Sequence, residues 1–135
     1  MSDRTVCIVD DDPDIREAMR FALELDGVHV VEASDGAAAL DRLHHEKCGL
    51  ILLDLMMPGM NGWEFRAEQR ADPELAQIPV VVLSGAREVS DHARELGAAA
   101  YLQKPVELER LSEVVDELCE TTDGPGNGAG DGGRE

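Results

Sequence analysis

The chain has 135 residues, 43% of them hydrophobic but only 3% aromatic, and its 29 acidic against 12 basic side chains give a formal net charge of −17. That length allows one domain with a real core, which must be aliphatic and rich in alanine. The charge disfavours nucleic-acid binding, which needs a basic footprint; no apolar run approaches membrane-spanning length, and the polar start Met1-Ser2-Asp3-Arg4 lacks a signal-peptide core.

Thr5-Val6-Cys7-Ile8-Val9 is a short apolar run that ends in Asp10-Asp11-Asp12. It reads as a strand with carboxylates at its carboxyl end. Pro13 follows, suited to the first turn of a helix, with Asp12 as its N-cap. Ile15, Ala18, Met19, Ala22 and Leu23 then recur at helical spacing, and Gly27 stops the helix. Val28 to Val31 predicts a second strand, and Ser34-Asp35-Gly36 opens a helix running towards His45. Leu50-Ile51-Leu52-Leu53 is unbroken and apolar, as expected of a strand buried on both faces. It ends on Asp54, and Pro58-Gly59-Met60-Asn61-Gly62 breaks the chain into a loop.

A third helix is expected from Gly62 to Ala71, though Trp63, Phe65 and Ala67 form no clean stripe. Ile78 to Leu83 predicts a fourth strand ending in Ser84-Gly85. A short helix over Ser90 to Leu96 stops at Gly97. Ala99 to Leu102 predicts a fifth strand, followed by Gln103-Lys104-Pro105. The last helix is expected from Val106 to Cys119, with Leu108, Leu111, Val114, Val115 and Leu118 inside. Five strand–helix units predict an α/β fold with a parallel sheet, right-handed crossovers and helices on both faces. Residues 1–120 form the domain. Six of the 13 glycines lie between Gly124 and Gly133 without periodicity, so residues 121–135 read as a disordered acidic tail or the start of a linker.

Four strand ends bring chemistry to one sheet edge: Asp10 with Asp11, Asp54, Ser84 and Lys104. Open α/β sheets bind ligands at that edge. Clustered carboxylates repel one another and call for a hard cation, and oxygen ligands of this kind suit Mg²⁺. A hydroxyl and an ammonium opposite them suit tetrahedral anionic oxygens, so a phosphoryl group fits both halves. One carboxylate can also be a nucleophile, giving an aspartyl phosphate.

This set resembles the receiver domain of bacterial two-component response regulators. The resemblance rests on Asp10-Asp11 after the first strand, Asp54 within Leu53-Asp54-Leu55-Met56-Met57-Pro58-Gly59-Met60-Asn61-Gly62, Ser84 after the fourth strand and Lys104-Pro105 after the fifth. It spans about Arg4 to Leu118. It implies a flavodoxin-like (βα)5 fold with strand order 2-1-3-4-5. It further implies a phosphoacceptor at Asp54 and Mg²⁺ held by Asp11, Asp54 and the Met56 backbone carbonyl, with Asp10 acting through water. Lys104 would pair with Asp54 and then with its phosphate. Ser84 would bond a phosphoryl oxygen, and Tyr101 would turn inward as a switch, changing the surface over the fourth helix, fifth strand and fifth helix. The implied partners are a sensor histidine kinase or phosphotransfer protein and a downstream protein, in the cytoplasm, with no binding to nucleic acid or membrane. Such a chain is a signalling module, not an enzyme.

Two departures stand out. The segment from Ser84 to Lys104 is shorter than is common in that family. Arg66 and Gln69 occupy positions where aliphatic residues are usual, which predicts a loosely packed third helix or a face that meets a partner.

Simpler readings hold elsewhere. Cys7, Cys48 and Cys119 have no metal-site spacing and read as reduced thiols of a cytoplasmic protein. His29, His44, His45 and His92 share no ligand spacing with the acids and read as surface residues. Tyr101 can equally be a half-buried aromatic on an edge strand. Two other functions compete. An aspartate-nucleophile phosphatase would need a second Asp two positions after the first, and Met56 stands there. A degenerate receiver would work unphosphorylated as a scaffold.

Overall fold

The computed structural model describes residues 4–123. Strands and helices alternate: β1 Thr5–Val9, α1 Pro13–Leu25, β2 His29–Ala33, α2 Gly36–His45, β3 Leu50–Asp54, α3 Gly62–Ala71, β4 Val80–Ser84, α4 Val89–Leu96, β5 Ala100–Gln103 and α5 Leu108–Asp123. The strands form one parallel sheet in the order β2-β1-β3-β4-β5. This is the expected doubly wound, flavodoxin-like arrangement.

Why this order follows from the sequence is visible in burial. The unbroken runs of β3 and β4 are buried at every residue, so they need neighbours on both edges and helices on both faces. β2 and β5 mix buried with exposed positions and take the sheet edges. Alternation along β1 feeds two cores. Cys7 and Val9 join Ala39 and Leu43 of α2, Phe65 of α3 and Val89, Ala93 and Leu96 of α4. Val6 and Ile8 join Met19 and Leu23 of α1 and Leu111, Val114 and Val115 of α5.

Some boundaries move by one or two residues, as helix and strand ends commonly do. Ala18, given an inner position by periodicity, is exposed, and Met19 and Leu23 carry the burial of α1. Leu108 likewise lies outside the core. α5 continues to Asp123, past the expected stop at Cys119, because no glycine interrupts the chain before Gly124. Of the expected tail 121–135, residues 124–135 lie outside the described residues.

The third helix corrects the sequence reading. Its stripe is poor in apolar residues, yet Phe65, Arg66 and Gln69 are all buried. Arg66 donates from Nε to the Leu96 carbonyl at 2.9 Å, from Nη2 to the Gly97 carbonyl at 3.1 Å and from Nη1 to Gln69 Oε1 at 2.7 Å. Gln69 Nε2 donates to the carbonyls of Leu75 and Ile78 at 2.9 and 3.0 Å. The helix is not loosely packed, and these two side chains are not an open face. These bonds pair the buried polar atoms of both side chains, which makes a polar interior tolerable.

Candidate functional site

The acidic pocket is assembled from strand ends. β1 ends at Val9, and Asp10 continues it by donating its N–H to the Ala33 carbonyl at 3.1 Å. The Asp10 side chain is fully buried. Its Oδ1 accepts from Asp12 N–H at 2.9 Å and its Oδ2 from Lys104 Nζ at 2.9 Å. Asp12 caps α1 as the sequence predicts, accepting from the N–H groups of Asp14 and Ile15. Asp11, between them, is exposed, so its carboxylate is free to face the pocket.

Asp54 is the last residue of β3 and is buried. Its Oδ1 accepts from Met56 N–H at 3.2 Å, and its Oδ2 lies 3.4 Å from Lys104 Nζ. The chain then turns sharply. Gly62 donates its N–H to the Leu55 carbonyl at 3.0 Å, and a Cβ at Gly62 would come within 2.7 Å of the Leu55 Cα. Only glycine lets the start of α3 lie that close behind Asp54. Asn61 and Glu64 close that turn with a capping box.

Ser84 ends β4, buried, and its Oγ accepts from Ala86 N–H at 3.1 Å. Lys104 follows β5 and is placed by its own N–H, which donates to the Ser84 carbonyl at 2.9 Å.

One carboxylate oxygen from each of Asp10, Asp11 and Asp54 lies within 4.8 Å of the others. Burial is the main force pushing the Asp54 carboxyl up to about 6, and the charge of Asp10 adds to it, while Lys104 pulls the other way. At Lys104 burial opposes the charge, but the bond to Asp10 and the charges of both acids outweigh it and raise its pKa. The residues fit a hard divalent cation: three carboxylates converge with a single ammonium, and repulsion among them is strong enough to shift a titration.

Asp10, Asp11, Asp54, Ser84 and Lys104 are therefore brought to one edge. Lys104 differs in detail from the expected pairing, since it lies closer to Asp10 than to Asp54. Tyr101 is 46% exposed on β5, in a hollow that Lys104, Pro105 and Arg110 also line. The Met56 side chain is 68% exposed beside the pocket.

Sequence reasoning missed Arg16. Its Nη1 donates to the Asp10 carbonyl at 2.7 Å and its Nε to Glu32 Oε1 at 3.1 Å, tying the acidic loop to α1 and β2. A signal existed in Glu32, a carboxylate set between apolar residues of a strand. His44 also gains a partner, since its Nε2 lies 2.6 Å from Asp72 Oδ2, near Glu74. That bond holds the histidine pKa up and the Asp72 pKa down. The group is at the opposite, amino edge of the sheet.

Among the described residues no helix is long and apolar enough to cross a membrane. The family model of the response regulator receiver domain matches residues 6–116. Response regulator MprA of Mycolicibacterium vanbaalenii is 35% identical over 128 residues, covering 93% of this chain and 54% of that protein. The phosphate regulon transcriptional regulatory protein PhoB of Escherichia coli is 37% identical over 110 residues, 80% of this chain and 48% of PhoB. The chain thus spans about half the length of these curated relatives. The chemotaxis protein CheY4 of Vibrio cholerae superposes with a TM-score of 0.79 at 28% identity, covering 87% of this chain and 99% of that one. With the sheet order, the acid cluster and its lysine already in place, the match over nearly all the described residues settles the kinship: the chain belongs to the response regulator receiver domains of two-component systems.

Proposed function

We propose that this receiver takes a phosphoryl group from a phosphohistidine of a sensor kinase or phosphotransfer protein onto Asp54, and that the change at its surface selects a downstream protein. The observation that carries this reading is the position of Asp54. Asp10 and Asp54 both lie among the acids beside Lys104, but both oxygens of Asp10 already accept hydrogen bonds, whereas Asp54 Oδ2 has only the longer 3.4 Å contact with Lys104. An Oδ of Asp54 attacks phosphorus, the phosphorus–nitrogen bond of the donor breaks, and the bonding pair leaves with the imidazole nitrogen. Lys104, already 3.4 Å from Asp54, follows the charge onto the phosphoryl oxygens. The Ser84 hydroxyl accepts from Ala86 N–H and keeps its own hydrogen to donate to such an oxygen.

Asp11, Asp54 and the Met56 backbone carbonyl would hold Mg²⁺. The bound ion would supply positive charge to phosphoryl oxygens that the acids alone would repel. Both oxygens of Asp10 already accept protein hydrogen bonds, which suits a role through water. With a formal charge of −17, this chain by itself is not expected to bind duplex DNA. The buried free thiols of Cys7 and Cys48 suit the reducing cytoplasm.

The test is intact-mass spectrometry after incubation with acetyl phosphate and Mg²⁺. One added phosphoryl group is expected, absent without Mg²⁺ and absent in Asp54→Asn. A label that persists in Asp54→Asn overturns the assignment.

A further inference from the structure

α4 is held very differently at its two ends. At the start, Glu88 occupies the cap position and makes no side-chain cap bond. The segment Gly85-Ala86-Arg87-Glu88 that leads into it is largely exposed. At the other end, Gly97 adopts φ 66°, and the N–H groups of Gly97 and Ala98 return to the carbonyls of Arg94 and Ala93 at 3.1 and 2.9 Å. That left-handed cap closes the helix without help from outside. Yet Arg66 of α3 adds two more bonds there, to the Leu96 and Gly97 carbonyls. The guanidinium is buried, and among the described residues no carboxylate pairs with it. Its charge is instead directed at the negative end of α4, where cations are favoured. The Arg70 guanidinium also lies close to Gly97, a second cation at the same helix end.

We propose that Arg66 is a positioning residue that pins the C-terminal end of α4, so that phosphorylation at Asp54 moves only the N-terminal end, beside Ser84. The proposal rests on the phosphoacceptor reading for the moving end, whereas the pinned end stands on geometry alone. Ser84 Oγ accepts from Ala86 N–H within the segment that leads into α4. Drawing Ser84 towards a phosphoryl oxygen loosens that bond and shifts the uncapped end. The Arg66 fork is set in turn by Gln69, which is tied to the turn before β4. α4 then pivots about a fixed base at the amino edge of the sheet.

Hydrogen exchange followed by mass spectrometry reads both ends. In the unphosphorylated chain, amides of residues 93–98 should exchange more slowly than those of 86–91. Arg66→Met should speed exchange at 93–98 by about tenfold and leave 86–91 nearly unchanged. Arg66→Lys keeps the charge but not the fork, so it should fall between the two. It also serves should the methionine variant not fold. Equal exchange at both ends of the wild type, or no local change in either variant, overturns the pin. The second arm compares the chain before and after acetyl phosphate with Mg²⁺, with uptake checked by mass. Phosphorylated wild type should change at 86–91 only, and Arg66→Met should change across 86–98. A wild-type change of equal size at both ends overturns the pivot. Failure of the chain to take up phosphate counts against the phosphoacceptor reading, and the resting-state comparison still decides the pin.

Discussion

The two edges of the sheet treat buried polar groups in opposite ways. At the amino edge, Arg66 and Gln69 make five hydrogen bonds, four to main-chain carbonyls of other turns and one between the two side chains. At the carboxyl edge, Asp10, Asp11 and Asp54 converge where Asp10 and Asp54 share one ammonium, and burial, with the charge of Asp10 added, lifts the Asp54 pKa. A completed network holds structure, whereas an incomplete, like-charged one marks a place where a ligand supplies what is missing. Substitutions at the two edges should therefore act on stability with opposite sign.

The largest effect is expected at the amino edge. Gln69→Leu keeps the volume but strands the Ile78 carbonyl and one nitrogen of Arg66, and leaves the Leu75 carbonyl with only the Ile78 N–H. It should lower stability by about 2–4 kcal/mol, read as a lower urea midpoint with an unchanged slope. A loss near zero would mean that water enters and the network is dispensable.

At the carboxyl edge, Asp54→Asn should stabilise the metal-free chain at neutral pH. Asp54 has its pKa raised from 3.8 to about 6 in the fold. Between those values the native state binds a proton that the unfolded chain has released. Its contribution is thus fully present below about pH 4 and is lost as pH rises through about 6. The shift corresponds to up to about 3 kcal/mol of destabilisation at pH 7 in wild type. Asparagine removes it, so the variant should be more stable at pH 7 and no more stable at pH 4. Mg²⁺ should narrow the gap by stabilising wild type more than the variant. Equal urea midpoints at pH 7 without metal would show that Lys104 already balances the acids.

The acids themselves should separate in Mg²⁺ titrations. Asp11 is exposed, while Asp10 is buried and bonded to both Asp12 and Lys104. Loss of a direct ligand in Asp11→Ala should weaken binding more than loss of a water-mediated one in Asp10→Ala, where a drop of about 10-fold is expected. Equal affinities would place both carboxylates in the same shell.

The same contrast explains what could be read from the sequence. Strand runs ending in Asp10, Asp54, Ser84 and Lys104 show both the sheet and its chemical edge, because buried parallel strands are continuous apolar runs and a carboxylate at their end stands out. Sheet order came only with the family resemblance. The amino edge stayed hidden. Arg66 and Gln69 look like surface residues on a weak helix, because their burial depends on carbonyls some 6 to 31 positions away in sequence. Arg16 was hidden for the same reason, its partner Glu32 being 16 positions distant. Periodicity reports which face is apolar and says nothing of which polar groups find partners in space.

The smallest effect concerns the lifetime of the phosphorylated state. An aspartyl phosphate is lost when water attacks phosphorus in line, opposite the Asp54 oxygen. Met56 and Ala86, two positions after Asp54 and Ser84, are expected to border that path. In receivers that lose phosphate quickly, polar groups at the matching positions can orient the water. Here Met56 projects into solvent with a thioether that cannot take a proton, and Ala86 offers only a main-chain N–H, already given to Ser84 Oγ. Positioning the nucleophile carries much of the catalysis in phosphoryl transfer. Without it hydrolysis should slow by about tenfold, a barrier change of only ~1.4 kcal/mol. Met56→Asn combined with Ala86→Glu should restore that factor and shorten the lifetime. Both positions lie at the carboxyl edge, outside the core, so the double variant should leave the urea midpoint nearly unchanged. Phosphate decay followed by mass spectrometry in wild type and double variant decides it: equal decay rates would mean that water reaches phosphorus without a side chain to guide it.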